Sequence, residues 1–167
     1  MYATIPTATW TSRRRLLAAA AVLPFAVRPA FAHHGWSSFD QDRPIYLEGK
    51  VTSSKWQNPH AELMIEVSPS LALPADLKQR KLPAQSTEVD GPGLLARTSL
   101  PRRRERQWEL ELAPLTRMEA WKVAEIKPGT MVSAVGFTTK DEQGEAVMRV
   151  EYLFVAGKVY GLRSSPA

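Results

Sequence analysis

Ile45-Tyr46-Leu47-Glu48-Gly49-Lys50-Val51-Thr52 is the stretch that decides the fold class. Ile45, Leu47 and Val51 alternate with Tyr46, Glu48, Lys50 and Thr52, the period of two that belongs to a half-buried strand. Gly49, in the apolar register, predicts a bulge or tight bend of the kind a small barrel needs. The strand runs out near Trp56, where Asn58-Pro59 signals a turn. Ala61, Leu63, Ile65 and Val67 then alternate with Glu62, Met64 and Glu66 as a second strand. Together the two predict a hairpin with Asn58-Pro59-His60 at its tip.

Further along, Trp108, Leu110 and Leu112 alternate with Gln107, Glu109 and Glu111, a third strand. Thr116-Arg117-Met118-Glu119 reads as a capping box opening a helix to about residue 124. Leu115, Met118 and Trp121 would form its buried group, and Lys127-Pro128-Gly129 stops it. Residues 131–139 and 147–155 are strands four and five around an Asp141-Glu142-Gln143-Gly144 turn, and residues 159–162 make a short edge piece. Three strands, a helix and two strands follow the order of the OB-fold. The expected class is therefore mostly β: a small OB-fold-like barrel of five to six strands, with one short helix between strands three and four. A β-sandwich with a decorating helix is the competing architecture.

Residues 69–106 interrupt the pattern. They hold five prolines (Pro69, Pro74, Pro83, Pro92 and Pro101) and eight basic residues against four acidic, and they close on Arg102-Arg103-Arg104-Glu105-Arg106. Such a composition predicts a disordered surface insertion. A basic arm for an acidic partner and a solvated loop are its two readings.

Residues 1–32 read as a cleavable signal peptide. Ser12-Arg13-Arg14-Arg15-Leu16-Leu17 fits the twin-arginine pattern, and residues 16–27 are an alanine-rich apolar stretch too short for a span of about 20 residues. Ala30-Phe31-Ala32 is a small-x-small cut site. The expected organisation is thus a signal at 1–32 and a single barrel-like domain at 33–167, periplasmic, with no membrane span after cleavage. The +5 formal charge then loses its meaning. Four of the 22 basic residues lie in the signal, leaving 18 basic against 17 acidic residues. An oligonucleotide groove wants aromatic and basic residues on its middle strands, whereas Glu62, Glu66, Glu109 and Glu111 occupy them here. Nucleic acid is therefore not an expected partner.

There is no cysteine, so disulfides, thiolate metal sites and cysteine nucleophiles are excluded. The three histidines are His33, His34 and His60. A cut after Ala32 makes His33 the N-terminus, pairing a free amine with its own imidazole, and His60 can add a third nitrogen. Nitrogen-rich tetragonal coordination suits Cu(II) best, with zinc as the alternative cofactor on the same three rings plus water. Asp40 or Glu62 could supply an oxygen or orient a ring. Glu109 and Glu111 are two apart on one strand face; a catalytic carboxylate pair and a solvated acidic face are the alternatives. Trp36, Trp56 and Trp108 line either a groove or the core. No phosphate-cradling loop, nucleophile elbow or His-Glu-x-x-His motif occurs, and no catalytic residue is assigned.

Ala32-His33-His34-Gly35, Phe39-Asp40, Leu47-Glu48-Gly49-Lys50-Val51, Trp56-Gln57-Asn58-Pro59-His60-Ala61 and residues 115–121 leading into Lys127-Pro128-Gly129 together resemble a bacterial exported family, domain of unknown function 6152. The family pattern is Ala-His-His-Ser with a following aromatic, then Asn-Pro-His. Gly35 stands where serine is usual, and the 69–106 insertion is longer than the family's connection. The resemblance implies a small periplasmic β-rich domain and carries no established activity. Two functions follow as expectations: a periplasmic metal-handling protein, copper first, through His33, His34 and His60, or a non-catalytic module for a small molecule or an envelope protein. A metal-dependent oxidase is the third, lacking an identifiable substrate surface.

Overall fold

The computed structural model describes residues 36–167, together with Met1. The paired arginines, the expected cut site at Ala30-Phe31-Ala32 and the expected ligands His33 and His34 lie outside the described residues.

In chain order the elements are β1 (Ile45–Lys55), β2 (Glu62–Val67), α1 (Gly91–Arg97), β3 (Gln107–Glu111), α2 (Leu115–Ala120), β4 (Met131–Phe137), β5 (Val147–Val155) and β6 (Lys158–Gly161). The strands neighbour one another as β3-β2-β1-β4-β5-β6, and β3 also pairs with β5 in parallel. That last pairing closes five strands into a barrel and leaves β6 as an extra strand. The mostly β, OB-fold-like barrel expected from the alternation is the one observed, with α2 between β3 and β4. Its interior is the apolar set of each strand, including Leu47, Val51, Leu63, Ile65, Trp108, Leu110, Met148 and Val150, all buried. At Gly49 a Cβ would stand 2.4 Å from the Glu66 carbonyl oxygen, so glycine there permits close approach of β2. The register shift itself comes between Val51 and Ser53.

Two expectations change. The Thr116–Glu119 capping box does not form: α2 begins at Leu115 with Pro114 as its N-cap, and no side chain of that cap contributes a hydrogen bond. Instead the Leu115 amide donates to Asn58 Oδ1 at 3.2 Å, so the β1–β2 corner caps the helix across the fold. The helix also ends early, at Ala120, with Lys122 in the left-handed region (φ 54°). Met118 is buried, while Leu115 and Trp121 pack half-buried against the barrel core.

The larger correction concerns residues 69–106, expected to be disordered. They are folded onto the outside of the barrel. Leu77, Leu94 and Leu95 are buried against Tyr46, Val135, Phe137, Tyr152 and Phe154, which point away from the barrel interior. The physical reason lies in the strands: β5 is buried along nearly its whole length, so both of its faces need cover. Few apolar residues are required of the insertion because the barrel presents the aromatic half of this second core. Backbone bonds fix it in its middle and in its second half. Tyr46 N–H donates to the Ser99 carbonyl (2.9 Å), and Ser86 N–H to that of Ser165 (2.9 Å). Within it, Asp90 caps α1 by accepting from the Gly93 amide at 2.9 Å.

Among the described residues no helix is long and apolar enough to cross a membrane.

Candidate functional site

Closure of the barrel brings chemistry-bearing side chains together. The parallel β3–β5 pairing sets Glu111 beside Arg149, and the β2–β3 pairing sets Glu111 opposite Glu62. Since Leu110 and Leu112 face inward, Glu111 stands on the outer face. The ladder continues one step beyond β2, with Ala61 N–H donating to the Ala113 carbonyl (3.0 Å) and Leu112 N–H to that of Ala61 (2.9 Å). His60 is thereby held diagonally to Glu111.

The three side chains form a compact ionic cluster. His60 Nδ1 lies 3.0 Å from Glu111 Oε1, and Arg149 Nη1 donates to the same oxygen. Arg149 Nη2 is 3.3 Å from His60 Nε2. These contacts suit a neutral ring whose Nδ1–H donates to the carboxylate while Nε2 accepts from the guanidinium. Glu111 and Arg149 are 6% and 5% exposed, so the pair is strongly shielded from water. Burial lowers the pKa of Arg149; Glu111 pulls it back up, and Arg117 and Arg163 push it further down.

Trp36 covers this cluster. Its ring lies 3.8 Å from the Arg163 guanidinium carbon and 5.0 Å from that of Arg149, and it meets Phe137 edge-on at 6.2 Å. Each cation–π contact contributes about 0.5–2 kcal/mol, more as water is excluded. Arg163 is itself fixed, its Nε donating to the fully buried Glu151 at 2.7 Å and its Nη1 to Gln41 Oε1 at 3.0 Å.

Of the sequence-predicted ligands, His60 is therefore at the seam of the barrel in an ordered setting. Neither Asp40 nor Glu62 provides the carboxylate beside it. Asp40 accepts from the Asp42 amide, and Glu62 pairs with Lys55 at 2.8 Å. That role falls to Glu111, whose two readings were a catalytic pair with Glu109 or a solvated face. Glu109 is only partly buried, and its pKa is raised by burial and by the neighbouring carboxylates of Glu62, Glu111 and Glu145. Trp108 is core, Trp56 packs half-buried against the core, and Trp36 belongs to the site. Among the described residues, no group of three or more histidine or acidic side chains is arranged to hold a metal ion. Arg149 and Arg163 went unnoticed in the sequence. The available signal was a basic residue in each of two otherwise apolar stretches, Val147-Met148-Arg149-Val150 and Gly161-Leu162-Arg163.

Fold and site define a small, closed β-barrel of OB type bearing a histidine–carboxylate–guanidinium cluster on its closing seam. The chain belongs to the Family of unknown function (DUF6152), whose model matches residues 21–104. The match takes in all three histidines and ends before Glu111 and Arg149. No curated protein and no solved structure matches the chain.

Proposed function

We propose that the protein is an exported, periplasmic metal-binding protein, copper first and zinc as the alternative. His60 is one ligand, and His33 and His34 are its partners after a cut following Ala32. The observation that carries the proposal is the 3.0 Å contact of His60 Nδ1 with Glu111. A carboxylate on one ring nitrogen fixes tautomer and orientation and raises the basicity of the other, the usual setting of a ligating imidazole. Covalent connectivity adds support. His34 precedes Trp36 by two residues, about 7 Å of extended chain at most, and Trp36 rests on the arginine that touches His60. Nitrogen donors without thiolate favour Cu(II) in the divalent series.

The test uses protein whose mature N-terminus has been verified by mass spectrometry. Cu(II) titration is expected to show binding that His60→Ala abolishes and Glu111→Gln weakens by about 10–100-fold. Saturable Cu(II) binding that His60→Ala leaves unchanged would refute the ligand assignment.

One contact favours a second reading, a non-catalytic binding module without metal. The guanidinium of Arg149 sits 3.3 Å from Nε2, where a metal would have to be. Metal binding requires that cation to move, and removing it relieves a like-charge repulsion. Arg149→Met is therefore expected to tighten Cu(II) binding if the metal reading holds. A wild-type chain that binds neither Cu(II) nor Zn(II) leaves the module.

A further inference from the structure

The run Arg102-Arg103-Arg104-Glu105-Arg106 is not a free arm: its residues from Arg103 to Arg106 form one wall of a cleft of about 420 Å³, separate from the seam. Its backbone is fixed. The amides of Arg102 and Arg103 donate to the buried Glu142 carboxylate at 2.9–3.0 Å, and the Arg106 carbonyl accepts from Val67 N–H at 2.7 Å, prolonging the ladder of β2. Arg103 is used structurally. Its Nη1 donates to the carbonyls of Glu142, Gly144 and Glu145, and its guanidinium lies over Trp108 at 5.6 Å. The one acid in the run, Glu105, is engaged by Arg103 Nη2 at 2.7 Å, which pulls its pKa down to about 2.

Two guanidiniums remain at the cleft. Arg104 is exposed and has no ion pair among the described residues. Arg106 pairs with Glu66 at 2.7 Å, but both side chains are about half exposed or more (63% and 47%), and such a pair is worth little. Beside them the cleft is lined by Leu71, Leu100 and Pro101, which are partly open to solvent. We infer that this cleft binds an acidic segment of a partner protein, in which carboxylates alternate with apolar side chains. Two cations on a pre-ordered backbone recruit carboxylates without the cost of ordering a loop, and arginine meets a carboxylate with two parallel hydrogen bonds. The apolar wall takes up the intervening side chains. A single small acid would satisfy one guanidinium and leave the rest of the cleft wet.

Fluorescence polarisation with a labelled peptide of alternating glutamate and leucine tests this on the full chain. Binding is expected for that peptide and not for one with lysine in place of glutamate. The double variant Arg104→Ala/Arg106→Ala should weaken it on the order of tenfold, about 1.4 kcal/mol. The charge-matched control Arg97→Ala/Lys127→Ala, exposed residues elsewhere, should change it less than about twofold. All four residues are at the surface, so an unchanged unfolding midpoint confirms that each variant folds. Equal loss in the control, no loss in the double variant, or equal binding of the lysine peptide would overturn the inference. So would displacement of the peptide by equimolar hexanoate or glutarate, or tighter binding of single-stranded DNA with the same arginine dependence. Copper binding plays no part in any of these outcomes.

Discussion

Glu111 and Glu142 are buried to the same degree, 6% and 7% exposed, and each holds an arginine, yet they serve opposite ends. Glu142 accepts from Arg43 and from the amides of Arg102 and Arg103, while Arg43 Nη2 donates to the Leu100 carbonyl at 3.2 Å. Two of its partners are backbone groups, which neither titrate nor leave. It clamps the end of the insertion to the β4–β5 connection. Glu111 is bonded to side chains alone in its described contacts, and one of them is an imidazole with ligating capacity. A buried carboxylate that satisfies amides locks a fold, whereas one shared between an arginine and a histidine sets the orientation of that histidine.

The largest effect should come from breaking the clamp. Glu142→Ala leaves two amides and a partly buried arginine without their acceptor, and a loss of about 3–5 kcal/mol is expected in urea unfolding. A loss under about 1 kcal/mol would mean that the clamp is not what holds the insertion. At the seam, Arg149→Ala strands the Glu111 charge and should cost about 3 kcal/mol, whereas Glu111→Leu with Arg149→Met should be nearly neutral. If the seam is there for function, that double variant keeps its stability but binds Cu(II) more weakly than Arg149→Met alone, because the ring has lost the carboxylate that orients it. Next, Leu95→Ala in the second core should cost about 2–4 kcal/mol. A negligible cost would return the insertion to the status of a loose loop.

The pH dependence sharpens the same contrast. Burial pushes the Glu142 carboxyl upward, but the Arg102 and Arg103 amides and Arg43 outweigh it, so its pKa lies below the ordinary 4.5. A depressed value means that Glu142 stabilises the fold above pH 4.5 and that this contribution is lost as pH falls through the folded value. Glu142→Gln should therefore flatten the acid limb of a stability–pH curve. On the alkaline side, burial and the hydrogen bond to Glu48 push Tyr46 up to about 12 from 10.0. A raised value implies stability that is complete below pH 10 and lost as pH rises towards 12, which Tyr46→Phe should remove. Ultraviolet titration of tyrosinate would report its late ionisation. The smallest effect expected is Trp36→Ala, about 1 kcal/mol from two cation–π contacts. Cu(II) quenches a nearby indole directly, so the loss of tryptophan fluorescence on Cu(II) addition should be smaller in Trp36→Ala than in the wild type if the ion sits at the seam.

The barrel was legible because alternation in residues 45–52, 61–67 and 107–112 is a local property, and so was the histidine at the hairpin corner. The insertion was misread for a definite reason. Its own composition is poor in apolar residues, and the surface that orders it is supplied by Tyr46, Val135, Phe137, Tyr152 and Phe154 on other segments. The warning lay in Val147-Met148-Arg149-Val150-Glu151-Tyr152-Leu153-Phe154, nearly continuous rather than alternating, which marks a strand covered on both sides. Glu111 stands on the outward face that the alternation gives it, but it is buried there rather than solvated because its neighbours depend on register. The capping box failed because Asn58, far away in the chain, offered the helix start an acceptor one turn of sequence logic could not see.

By itself, then, the sequence determined the succession of strands along the chain, the turns and the inward faces of β1, β2 and β3, since these follow from side-chain period and turn chemistry. Only the tertiary structure decided which outward residues meet. Arg149 reaches Glu111 across 38 residues and His60 across 89, through a parallel seam that no local pattern encodes. Register is fixed by the packing of the whole barrel, and the candidate site is a product of that register.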